Sequence, residues 1–136
     1  MRNIVVIDLN VFVRALLTSG IDRIIYDAIK EERIIPAFCP DMFRNLADVL
    51  IRPHLKLQLK DIKELLEIIK TKAITVKTGV TINACRDASD NIIIETAVAS
   101  NAKAIITNDP DLLVLQSHRD IPILTPRQFL KKLNRL

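Results

Sequence analysis

Glycine is nearly missing from this chain of 136 residues, which holds only Gly20 and Gly79. Neither a dinucleotide-type nor a P-loop-type phosphate cradle can be built from them, and most nucleotide-binding enzymes are thereby excluded. Aromatics are scarce as well. Tyr26, Phe12, Phe38, Phe43 and Phe129 complete the set, with no tryptophan, so no aromatic platform for stacking successive bases is expected. Cys39 and Cys85 lie far apart without ligand-like spacing, which suits a reducing compartment better than a disulfide scaffold. Cys39 closes an apolar run and reads as a small buried hydrophobe. His54 and His118 form no Ser/His/Asp or Cys/His arrangement, so surface or packing roles are expected of them. No apolar run approaches the length of a membrane span, and the stretch before Asp8 is too short for a signal peptide. A cytoplasmic protein without a membrane partner is expected.

What is present has the balance of a globular protein: 49% hydrophobic and 26% charged residues. The length fits one domain over 1–136, large enough to bury a real core. Lys+Arg of 20 against Asp+Glu of 16 gives a net charge of +4, which permits a polyanionic partner without requiring one.

Ile4 to Ile7 is a continuous β-branched run ended by Asp8, the pattern of a strand buried on both faces. A helical stripe follows over 21–32, then a short strand from Ile34 to Phe38, where Pro36 suggests an edge position. Pro40 suits the first turn of a helix running to about Arg52, which Pro53 stops. An amphipathic helix over Leu59–Ile69 precedes a strand at Ala73–Val76. Then come a helix over Asp87–Ser100, a strand at Ala104–Thr107, a short helix from Asp111 to Ser117 and a strand at Ile121–Leu124. Thr125 is placed to cap a final helix. Alternating strands and helices predict a mostly parallel sheet covered on both faces, and functional groups gather beyond the carboxyl ends of such strands.

Three acids fall there. Asp8 ends the first strand, with Asn10 two residues on; Asp109 lies just past the fourth strand; Asp90 opens the third long helix. At about 100° per residue, Ile93, Ile94, Ala97 and Val98 centre within roughly 10° of Asp90's own direction. Its carboxylate therefore aims along the buried face, where an unpaired charge would cost several kcal/mol. Asp87 serves equally well as a helix cap. On the helix at 40–52, Asn45 lies roughly 100° and Asp48 roughly 160° from the centre of the apolar stripe. Asn45 is thus a boundary residue able to face a cleft, and Asp48 an ordinary surface acid. Three acids at one sheet end repel one another unless a cation binds, and oxygen ligands without His or Cys suit Mg²⁺ or Mn²⁺.

Ile4-Val5-Val6-Ile7-Asp8-Leu9-Asn10 resembles the opening strand of PIN-domain proteins, usually ending Asp-Thr-Asn. Cys85-Arg86-Asp87-Ala88-Ser89-Asp90 resembles the family's second acidic cluster, and Thr107-Asn108-Asp109-Pro110-Asp111 its strand-turn signature. The ending Ile121 to Leu130 is similar to a VapC-like toxin–antitoxin branch. The resemblance spans essentially the whole chain. It implies a three-layer α/β/α sandwich around a central, mostly parallel five-stranded sheet. It also implies a Mg²⁺- or Mn²⁺-dependent endoribonuclease, a toxin of a type II toxin–antitoxin pair that cuts RNA with metal-activated water, with a cognate antitoxin and a homodimer.

By position, Asp8, Asp90 and Asp109 would be the catalytic, metal-binding acids; Asn10 and Thr107 would support them, and Asp87 and Asp111 would stand in the same cleft. One departure matters: the family helix normally carries Glu where Asn45 stands, which removes a negative charge and predicts weaker metal affinity. Leu9 in place of Thr is a second, milder departure. Arg14, Arg44 and Arg86, with Arg52 and Lys56, are the candidates for holding RNA phosphates. The competing reading is a catalytically weakened PIN-like module that binds RNA or protein. A phosphohydrolase using Asp8 as nucleophile fits poorly, because Asn10 stands where the haloacid-dehalogenase pattern wants a second Asp.

Overall fold

The computed structural model describes residues 3–79, 85 and 88–134. Six strands form one sheet: β1 (Ile4–Ile7), β2 (Ile35–Phe38), β3 (Ile74–Thr75), β4 (Ala104–Ile106), β5 (Ser117–His118) and β6 (Ile121–Leu124). Their order is β3-β2-β1-β4-β6-β5, and every pairing is parallel except that of β5 with β6. The flanking helices are α1 (Leu9–Leu17), α2 (Ile21–Lys30), α3 (Pro40–Leu50), α4 (Leu59–Lys72), α5 (Ala88–Ser100), α6 (Pro110–Leu113) and α7 (Pro126–Leu133). The class is the expected α/β/α arrangement, although with a sixth strand. Among the described residues no helix is long and apolar enough to cross a membrane.

The continuous apolar runs mark the centre of the sheet. β1 lies between β2 and β4, and Val5, Val6 and Ile7 are fully buried. Each such side chain contributes about 1.5–3 kcal/mol through burial. Helix α5 packs on β1, β2 and β4, and α7 on β4 and β6. Proline placement works as expected at two helix starts: Pro40 in the first turn of α3, and Pro126 behind the Thr125 cap of α7.

Three expectations are corrected, and one helix is added. Pro36 does not mark an edge, because β2 pairs with both β1 and β3. The backbone N–H of Ile35 points to β1 and the carbonyl of Phe38 to β3. By alternation, the donor Pro36 lacks would face β3's side before β3 begins at Ile74, so no ladder bond is lost. Helix α1 was not expected, since its buried Val11, Phe12, Val13 and Ala15 prolong the apolar run of β1 and blur the change of period. The short helix expected to reach Ser117 ends at Leu113. The sixth strand follows it: β5 and β6 form a hairpin whose two-residue loop, Arg119 and Asp120, has φ of 48° and 67°. Such a turn ordinarily carries Asn-Gly, and its absence left the hairpin without a signal.

Candidate active site

Strand order reverses between β1 and β4, so the crevice beyond their carboxyl ends lies at a topological switch point. Asp8 follows β1 and donates its backbone N–H to Ile106 at the end of β4 over 2.9 Å. Its side chain caps α1, with Oδ1 accepting from the backbone N–H of Asn10 at 3.4 Å. Thr107, fully buried just after β4, donates its hydroxyl to Asp8 Oδ2 at 2.7 Å and accepts from the backbone N–H of Asp109 at 2.9 Å. One hydroxyl therefore fixes both acid-bearing strand ends relative to each other. Asp109 in turn caps α6, its Oδ1 accepting from the backbone N–H of Asp111 at 2.9 Å.

Asp90 projects from the first turn of α5 and is only 6% exposed, as the helical phase requires. Carboxylate oxygens of Asp90, Asp109 and Asp111 all lie within 4.8 Å of one another. Asp8, Asp90 and Asp109 line one cavity of about 500 Å³, together with Asn10 and Ser89. Helix α3 and the residues after it supply the facing wall through Asn45, Asp48, Val49 and Arg52.

Burial dominates the electrostatics of Asp8 and pushes its carboxyl above the ordinary value. The Thr107 hydroxyl and the backbone N–H groups of Asn10 and Leu9 oppose that rise, while the charge of Asp109 adds to it. A cation in the cleft would favour the ionised form. The donor set suits one: carboxylate and amide oxygens, with no His or Cys lining the cavity, match the coordination of a hard divalent ion.

Placement of the remaining candidates differs from expectation. Asp111 joins Asp90 and Asp109 more closely than its supporting role implied, whereas Asp8 stands in the cavity wall outside that close trio. Asp48 is exposed, as its helical phase predicts, and lines the cleft. The signal is a second, polar stripe: Asn45, Asp48 and Arg52 recur at helical spacing. Arg14 pairs with Asp22 at 2.8 Å and lines a separate cavity, and Arg44 pairs with Asp41 beside Phe43 and Lys70. Neither borders the acidic cavity; Arg52 does, and Lys56 borders the groove next to it. Asp87 and Arg86 lie outside the described residues.

Comparison with known proteins agrees with this geometry. The chain is similar to the uncharacterized protein MJ1680 of Methanocaldococcus jannaschii, with 32% identity over 142 aligned positions covering 94% of this chain and 90% of that one. A family model described as PIN domain matches residues 4–111, a span that contains both acid-bearing strand ends and the helices facing them. The chain therefore belongs to the PIN-domain family.

Proposed function

We propose that the protein is a divalent-metal-dependent endoribonuclease of the VapC-like toxin type. The observation that carries this reading is the meeting of Asp90, Asp109 and Asp111, within 4.8 Å, beside a cavity that also holds Asp8. Mg²⁺ or Mn²⁺ held by these acids would supply positive charge to the scissile phosphate and acidify the attacking water. The chain's own residues do the rest. Thr107 orients Asp8 Oδ2, so that carboxylate keeps one fixed direction toward the cleft. Asn10 and Asn45 offer amide groups to hold water or ribose hydroxyls, and Arg52, lining the same cavity, offers its guanidinium to a phosphate of the RNA backbone. Products with 5′-phosphate and 3′-hydroxyl ends are what the family resemblance implies. The toxin role, an antitoxin partner and a homodimer rest on the similarity of the segment Ile121 to Leu130 to that branch.

Asn45 favours a second reading, a weakened module that binds RNA or protein without cutting it. Against it stands Asp48 on the same wall, which keeps an acid on α3 facing the cleft. The two readings part in a fluorogenic RNA panel assayed with Mn²⁺, Mg²⁺ or EDTA. The nuclease reading expects metal-dependent cleavage by the wild type, lowered by about 100-fold or more in Asp8→Asn. Silence in the wild type with activity in Asn45→Glu would establish the weakened module instead.

A further inference from the structure

A second cavity, of about 590 Å³, lies beside the acidic one and has a different chemistry. Arg14, Thr18, Asp22, Asn108 and Arg127 line it. Asp22 is 6% exposed and accepts from Arg14 Nε at 2.8 Å and from Asn108 Nδ2 at 3.3 Å. A buried carboxylate thus fixes two donors at once. The Arg14 side chain is still 60% exposed, and four of its five N–H donors lie outside the bond from Nε to Asp22. Arg127 is exposed, with no ion pair among the described residues. Two guanidinium groups against one carboxylate leave the cavity net positive, and their planar forks match phosphate oxygens.

This cavity is coupled to the cleft by covalent structure. Asn108 sits between Thr107 and Asp109, so one short segment presents the acid on one side and the amide on the other. Along α1, Arg14 follows Asn10 by four residues, about 6 Å of rise. A strand lying in the acidic cleft and crossing residues 107–109 would therefore bring a neighbouring phosphate against Arg14 and Arg127.

We propose that this second cavity is a phosphate subsite for single-stranded RNA, in which Arg14 and Arg127 hold a backbone phosphate next to the cleft. Asp22 is its positioning residue, acting through Arg14 and Asn108. The proposal rests on the nuclease reading for its choice of RNA, but its test does not need cleavage. The probe is a fluorescein-labelled oligoadenylate of about a dozen nucleotides, titrated by anisotropy in EDTA across a range of salt concentrations. Arg127→Ala and Arg14→Ala each weaken binding by about 3- to 10-fold and reduce the slope of log K against log salt by about 0.7. Lys72→Ala, whose charge is paired with Glu32 away from both cavities, leaves both unchanged. Asp22→Asn matches Arg14→Ala in slope and adds nothing in the double variant, which a general loss of stability would not reproduce. If Asp22→Asn does not fold, the exposed Arg127 still decides the matter. Unchanged affinity and slope in Arg127→Ala and Arg14→Ala would overturn the subsite, even for a protein that cuts RNA with Mn²⁺. The changed slopes in a protein that cuts nothing would uphold it while removing the nuclease reading.

Discussion

Asp8 carries two conflicting demands. Its position at the end of β1 excludes water and raises its affinity for a proton, while a metal site needs it ionised. The Thr107 hydroxyl and two backbone N–H groups relieve only part of that cost. Because the folded protein binds this proton more tightly than the unfolded chain does, the penalty is present above the folded-state pKa. It fades as the pH falls through that value, and it is gone below the ordinary carboxylate pKa, where both states are protonated. Asp8→Asn should therefore raise the urea midpoint in metal-free buffer at neutral pH, with the gain shrinking in mild acid. Equal midpoints at both pH values would show that the buried charge is already fully compensated. The same residue was legible from sequence because an acid ending a doubly buried strand has few other places to go. The close approach of Asp111 to Asp90 was not, since it depends on how the α6 turn sets the segment after β4 against α5.

Among the elements, α3 shows most plainly where periodicity stops being informative. Its stripe fixes which residues enter the core, and Met42, Leu46 and Leu50 are buried accordingly. The angle of Asp48 from that stripe gives its exposure correctly but says nothing of what stands across the solvent gap, which here is the pair of strand ends bearing Asp8 and Asp109. The same element predicts how metal affinity is tuned. Restoring a carboxylate with Asn45→Glu should tighten Mn²⁺ binding by about tenfold, because each added charge in an oxygen site raises affinity. Isothermal calorimetry on the two proteins checks this, and unchanged affinity would place residue 45 outside the coordination shell. The β5–β6 hairpin escaped for a separate reason. Positive φ at Arg119 and Asp120 is a backbone requirement that these residue types do not advertise.

At the scale of the whole molecule, function follows from strand order. Reversal of the sheet at β1 and β4 brings together acids far apart in sequence, with Asp8 and Asp109 at adjacent strand ends and Asp90 delivered from the helix packed over both strands. Alternation of strands and helices made the parallel sheet legible, and the order of the acidic blocks made the cleft legible. The phosphate-facing surface was less so, because a charged side chain is directed by its partners. Asp22 draws Arg14, and Asp41 draws Arg44, away from the cleft that composition alone would have given them. The proposed nuclease requires a divalent metal held by acids at the switch point. Its most direct test is Mn²⁺ binding followed by electron paramagnetic resonance, wild type against Asp109→Asn. The wild type should bind the ion saturably, and the variant should lose about tenfold or more in affinity. Equal affinity in the two proteins, or no binding by either, would contradict it.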